Sequence, residues 1–465
     1  MKKDTNRLRI VRARICTAGN ETAECSVTIS DGRIEALDKA GTLGAVDIDL
    51  HGAWLLPGAV DGHVHFDEPG FTHRESFATG SLAAAAGGVT TVIDMPCTSL
   101  PPVTDVASLE RKLKVIAPKA VVDFALWAGV RGNGFSVDHL KHTLPALYSH
   151  GVRSIKTYLV SGMPTFEDLD VHQLEEVMRA AADIGMTVGV HAEDKRLVLE
   201  GTERERAAEG AEDILAYARA RSAEAEARAV AKCIELAERT GARVHVVHLA
   251  CGEGVRLIRQ ARARGVSVTA ETCPHYLAFT DEDLARMGSL LKTAPVVKTA
   301  SDRELLWGGL ADGTIDMVAT DHAPANWPTE KQTGSIWTDY GGVPGVETML
   351  PYMLSEGVAK GRLTLERALE VCCEAPARIH GIASRKGALE VGMDADFVAV
   401  DPLERWTVRA DDLLTRQKYT PFEGWEFTGR VLRTFVRGHE VFHRAQGAVG
   451  DPLGVFVVPG HDPAA

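Results

Sequence analysis

No window of this 465-residue chain approaches the roughly 18 consecutive apolar residues that a membrane helix requires, so no transmembrane span is expected. The basic start, MKKDTNRLRIVRAR, runs into alternating strand-like residues rather than an apolar core with a small-residue cleavage site, which argues against a secretory signal and makes the cytoplasm the expected location. The eight cysteines are scattered, only Cys372 and Cys373 being adjacent, and no CxxC pair or disulfide spacing is present. Reduced thiols are expected. Positive charge is in deficit: 51 Lys and Arg stand against 64 Asp and Glu, a formal net charge of −13. That balance disfavours nucleic acid and anionic membranes, both of which need basic surfaces. A GxSxG nucleophile elbow is missing, which disfavours serine-type chemistry, and no internal repeat or low-complexity tract breaks the chain. A small-molecule substrate remains as the expected partner.

The length suits one large domain and a smaller one. Eight short β-branched runs alternate with Ala/Leu/Arg/Glu-rich stretches of helical period: GAVDGHVHF (58–66), TTVIDM (90–95), VDFALWAGV (122–130), SIKTYL (154–159), TVGVHA (187–192), RVHVVHLA (243–250), VSVTAE (266–271) and IDMVATDH (315–322). Repeated βα units of this number predict an α/β fold, a (β/α)8 TIM barrel over 57–385, with its site at the C-terminal ends of the strands. The flanks, 1–56 and 386–450, read as short strands with Gly/Asp turns and predict a small β-sandwich domain built from both chain termini. The Gly/Pro-rich end, 451–465, reads as a surface extension.

The chemistry-bearing residues collect at strand ends. In a strand, residues two apart share a face, so His63 and His65 project together into the barrel from the first run, beside Asp61, Asp67 and Glu68. Adjacent neutral imidazoles suit a metal chelate, although an HxH alone could equally be a hydrogen-bonded core pair. His191 ends the fifth run, His248 the sixth and Asp321 the eighth. All of them share one rim. Lys156 lies at the same depth in an apolar strand, where an ammonium ion is costly unless paired, with Asp94 or Glu193, or converted by carbon dioxide into a carbamate able to bridge two cations.

These motifs resemble the binuclear metal-dependent amidohydrolase superfamily, in its cyclic amidase branch of allantoinases, dihydroorotases and hydantoinases. The resemblance covers nearly the whole chain, including TGSLAAAAGGVTTVIDMP (79–96) and VGMDADFVAVDP (391–402). It implies that His63 and His65 with Asp321 hold one cation, that His191 and His248 hold the other, and that carboxylated Lys156 bridges them. Zinc is the default for these donors, with manganese, cobalt or iron as alternatives. The implied reaction is hydrolysis of a cyclic amide C–N bond by a metal-bridging hydroxide, with Asp321 as the catalytic acid-base residue. The resemblance also implies a homodimer or homotetramer. A scaffold homologue that has lost its metals, and a mononuclear deaminase-like relative, are the competing readings.

Local comparisons rank the substrates. Dihydroorotases resemble HxHxRExG and MPNT, where this chain has Asp67 and Cys97; a carboxylate at 67 repels a carboxylated substrate unless Arg74 compensates. Hydantoinases resemble GGVPGVETMLP (341–351) but carry a tyrosine where this chain has Ser161; Tyr158 is a substitute or plain barrel packing. Allantoinases resemble HVHFxEPG, MPCTSLPP (95–102), SGMPTF (161–166) and ETCPHYL (271–277), and rank first. Substrate contacts are expected from Asp67, Ser161, Gly162, His275, Pro295 and Gly342, with His275 alternatively buttressing the seventh strand. His322 is expected to point away from the metals. The segment 325–342 is expected to be a lid or a subunit contact.

Overall fold

The computed structural model describes residues 7–16, 21–39, 48–210 and 212–460. Its barrel strands fall where the apolar runs predict: Ala59–Val64, Val89–Asp94, Asp123–Leu126 continued by Ala128–Gly129, Ser154–Tyr158, Thr187–His191, Arg243–Val246, Val268–Thr272 and Met317–Val318. All of their pairings are parallel, and the register sets Lys156 beside Gly189 and Tyr158 beside His191. The ring closes between the eighth and first strands, where Val64 bridges His322 and the His65 amide donates to the His322 carbonyl at 2.8 Å. Such strands are buried on both faces, which explains why they read as continuous apolar runs.

Helices cover the outside. Helix Val171–Ala182 shows the pattern: Asp170 and Gln173 form a reciprocal cap at its start, and Leu174, Val177, Met178 and Ala181 turn a single apolar stripe to the barrel. No helix among the described residues is long and apolar enough to cross a membrane.

The second domain is a nine-stranded mixed sheet drawn from both ends of the chain. Strand Trp54–Pro57 joins the two halves by pairing antiparallel with Phe397–Thr407 and parallel with Arg7–Cys16. The sheet curls, so that Val27, Ile29 and Ile34 from its N-terminal end share a core with Phe397 and Phe435 from its C-terminal half. Residues 1–6, 17–20 and 40–47 of the expected N-terminal segment, and 461–465, lie outside the described residues.

The described part of the C-terminal extension is anchored to the barrel: Phe124 N donates to Val455 O at 3.0 Å, Val457 N donates to Phe124 O at 2.8 Å, and Val457 is buried. Its β-branched residues extend the pairing of the third barrel strand, and the flanking glycines and prolines concealed that strand-like character.

Barrel and sheet meet around a buried ion cluster. Lys386 Nζ lies 2.6 Å from Asp123, 2.8 Å from Asp394 and 2.6 Å from Asp396. Arg437 pairs with Asp123, and Arg385 pairs with Asp394 at 2.8 Å.

Candidate metal centre

The strand register brings His63, His65, Lys156, His191, His248 and Asp321 to one rim. His63 Nε2 and His65 Nε2 each lie 3.1 Å from Asp321 Oδ1, so these three donors converge on one point. His191 Nδ1 and His248 Nε2 are 3.1 Å apart, and the His63 and His248 rings are 5.5 Å apart, which joins the two groups. Lys156 belongs to the same electrostatic neighbourhood as Asp321, His191 and His248. His248 and Asp321 both hold left-handed backbone conformations, φ 40° and 47°. Non-glycine residues rarely adopt these, and they persist where the surrounding structure enforces them, commonly at functional sites.

Two polar atoms here lack hydrogen-bond partners although they are buried, Lys156 Nζ and His248 Nδ1, and His63 Nε2 has only the Asp321 oxygen beside it. Lys156 is not paired with either carboxylate considered as its structural partner. Asp94 binds Lys112 and the Phe66 amide, whereas Glu193 binds His191 at 2.7 Å and Arg221. Burial lowers the pKa of Lys156, and burial together with the Lys156 charge pushes His248 well below the usual imidazole range. Four imidazoles, a buried amine whose charge burial disfavours and one convergent carboxylate form a donor set suited to divalent cations. The residues present fit such a group.

Supporting partners surround these donors. Glu271 accepts from His63 Nδ1 at 2.5 Å, from His245 Nε2 at 3.1 Å and from the His248 amide at 3.1 Å. Burial works against its charge, but His63 and His245 hold its carboxyl well below the usual range. Glu193 fixes His191, and Thr98 Oγ1 lies 3.2 Å from His65 Nδ1. Carboxylates behind ligating histidines fix the tautomer and the ring orientation. The sequence reading missed Glu271 in this role, although the acidic residue at the end of the seventh apolar run was its visible signal.

The expected substrate contacts divide. Asp67 is fully buried with both carboxylate oxygens unpartnered, and His275 Nε2 is likewise unpartnered. The Ser161 hydroxyl donates to Phe166 O at 2.7 Å and accepts from Met163 N, within the loop's own turn. Gly162 follows in that exposed loop. The Pro295 carbonyl accepts from the Tyr276 hydroxyl at 2.6 Å, and the Gly342 amide donates to the Lys292 carbonyl at 2.9 Å. Tyr158 stacks on His191 at 5.2 Å, and its hydroxyl lies 3.1 Å from Cys97 Sγ. His322 does point away, accepting from the Gly345 and Val346 amides.

The 325–342 segment is fastened to the barrel rim. Lys331 Nζ donates to the carbonyls of Ser289 and Lys292, Lys292 Nζ donates back to those of Ile336 and Asp339, and Glu330 holds Arg74 through two guanidinium nitrogens. Trp327 packs on Tyr419 and Trp337 on Tyr217, within the chain.

Residues 54–441 match the model of the amidohydrolase family. An allantoinase of Rubrobacter xylanophilus is 39% identical over 447 residues, covering 96% of each chain. An allantoinase of Streptomyces avermitilis is 38% identical over 437 residues, covering 93% of this chain and 94% of that one. Among solved structures, the L-hydantoinase (dihydropyrimidinase) from Arthrobacter aurescens superposes with a TM-score of 0.91 at 32% identity, covering 98% of this chain and 100% of that one.

Proposed function

The chain belongs to the amidohydrolase family, and from that premise we propose that it is a cyclic amide hydrolase that opens the ring of allantoin to give allantoate. The observation that carries the metal-dependent reading is the convergence of His63, His65 and Asp321 with unpartnered Lys156 and His248 atoms on a single buried rim. The near full-length likeness to allantoinases supports the choice of ring.

In this reading His63, His65 and Asp321 would hold one divalent cation, His191 and His248 would hold a second, and Lys156, carboxylated at Nζ, would serve as a further ligand. Zinc is our choice for donors of this kind. Bound there, the cations would acidify water and polarise the scissile carbonyl. The protein's own groups do the rest. Glu271 and Glu193 orient the histidines so that their free nitrogens face inward. Asp321 has a 12% exposed side chain, against 0% for His63 and 8% for His65, and is the carboxylate placed to take the proton of the attacking water and deliver it to the departing ring nitrogen. Burial lowers the pKa of the Lys156 amine and so favours the neutral form, the one that reacts with carbon dioxide.

Dihydroorotate suits the site poorly. Arg74, the one group the sequence offered to hold a substrate carboxylate, is occupied by Glu330 and lies 4.3 Å from the Tyr340 ring centroid. The buried cysteines are thiols, which supports a cytoplasmic setting. The test is allantoin turnover by protein reconstituted with zinc, manganese or cobalt in bicarbonate, with bound metal measured in parallel. Turnover lost in Lys156→Ala together with a fall in metal content is expected. No turnover by fully metal-loaded enzyme would overturn the allantoin assignment and pass the role to 5-substituted hydantoins.

A further inference from the structure

Helix Ala223–Thr240 begins with two charged side chains that reach in different directions. Arg221, just ahead of the Ser222 cap, turns to the end of the fifth barrel strand, where its guanidinium pairs with Glu193 through Nε at 3.1 Å and through Nη2. Glu193 in turn accepts from His191 Nε2 at 2.7 Å, which leaves His191 Nδ1 to face His248 Nε2 at 3.1 Å. Glu226, in the first turn of the helix, reaches the end of the sixth strand instead. Its Oε1 accepts from the Ala250 amide at 2.7 Å and from the Cys251 amide at 3.3 Å, just beyond His248. Lys298 joins the two arms: its Nζ donates to the Arg221 carbonyl at 2.6 Å and stands 3.9 Å from Glu226 Oε2. The Asp194 amide donates to the Ala225 carbonyl at 2.9 Å, which fixes the fifth strand end to the helix start.

Packing of the helix does not call for this network. Glu226 is 1% exposed, and a carboxylate buried so deeply is costly where an apolar side chain would fill the same space. What the carboxylate supplies is an acceptor for two amides past the end of the strand ladder, immediately after a histidine held at φ 40°. A left-handed backbone at a non-glycine residue persists where its surroundings enforce it. Glu271 does so from one side, through the His248 amide, and Glu226 from the other, through the amides that follow. His63 and His65 take their partners from Glu271 and Thr98, outside this network.

We propose that Glu226 and Arg221 are positioning residues for the second cation, holding His248 and His191 from one helix start, so that affinity for that ion depends on them and affinity for the ion at His63, His65 and Asp321 does not. The inference rests on the two-cation reading above and is independent of which ring is opened. Because the acceptor oxygen is what matters at 226, glutamine serves there in part, whereas alanine leaves both amides unmet.

The experiment titrates zinc-loaded wild type, Glu226→Ala and Glu226→Gln with a competing chelator and counts the zinc each chain retains, with thermal melting of the metal-free proteins to confirm folding. Glu226→Ala is expected to release one ion at a chelator concentration roughly 10- to 100-fold lower than wild type does, and to hold the other with affinity changed less than about twofold. Glu226→Gln recovers most of the difference. His191→Ala identifies the ion: adding Glu226→Ala to it should weaken the remaining zinc no further. Wild-type affinity for both ions in Glu226→Ala, equal weakening of both, or no recovery in Glu226→Gln would overturn the inference and leave Glu226 a structural residue. Should Glu226→Ala not fold, Arg221→Gln cuts the other arm with the same expectation, and unchanged zinc affinity there overturns the inference. Wild-type protein that retains a single zinc ion overturns the two-cation reading itself, and the positioning role with it.

Discussion

Replacing Lys386 by methionine should unbalance the joint between barrel and sheet in a way that depends on pH. Three buried carboxylates, Asp123, Asp394 and Asp396, meet three cations, Lys386, Arg385 and Arg437. Without Lys386, Asp123 keeps Arg437 and Asp394 keeps Arg385, but Asp396 keeps only the Arg437 amide at 2.7 Å. Breaking one partner out of a buried ion cluster costs about 3–5 kcal/mol, which lowers the melting temperature by about 3–5 °C in a chain of this size. Burial already pushes Asp396 up to about 6 with the lysine in place, and loss of the lysine raises it further. An acid whose folded pKa lies above its unfolded value stabilises fully below the unfolded value and loses that contribution as pH rises through the folded one. The deficit of Lys386→Met should therefore be largest at pH 8 and shrink toward pH 5, and Asp396→Asn in the same chain should recover much of it. Scanning calorimetry at the two pH values reads this directly. An equal loss at both, or no rescue by the second substitution, would refute the charge accounting.

Glu347 offers a second pH test of opposite benefit. Burial pushes its carboxyl up to about 7, and it accepts from the Leu414 amide at 2.6 Å. Its contribution to stability is present below the unfolded value near 4.5 and declines as pH rises to 7, so Glu347→Gln should be more stable than wild type by up to about 3 kcal/mol at pH 8 and no better at pH 4.5. A gain independent of pH would sink this account. At the metal centre, Glu271→Gln keeps the shape of the group that orients His63 but removes its charge, and metal affinity measured against a competing chelator should fall roughly 10- to 100-fold; unchanged affinity would mean that Glu271 supports the strand rather than the ligand.

The barrel was legible because its strands are buried on both faces and so appear as apolar runs separated by helical period. Pairing between the two termini was legible for a related reason, since short alternating segments at both ends needed partners. The ligand residues could be picked out because each is a polar residue interrupting or ending an apolar run. What escaped notice was set by three-dimensional accounting. The Ser161 hydroxyl bonds Phe166 and Met163 within its own turn; sequence position could not show those partners. Glu271 and Glu193 reach His63 and His191 across the fold or along the strand end, and Arg74 is cancelled by Glu330, a residue 256 positions away. Burial exposes such roles only when donors and acceptors are counted together.

That counting separates the two ends of the barrel. Asp123, Asp394 and Asp396 converge as closely as His63, His65 and Asp321 do, and composition alone would nominate both groups as metal sites. The aspartate cluster carries its own cations, and Lys386 occupies the position a metal would take, with contacts of 2.6 to 2.8 Å. The rim at the opposite end is the reverse case: Lys156 Nζ, His248 Nδ1 and His275 Nε2 are buried without partners. A fold can sustain balanced charges in its interior as structure. It can sustain this concentration of unmet donors and acceptors only where something outside the chain completes them, and the strand ends of a barrel are where a ligand can reach.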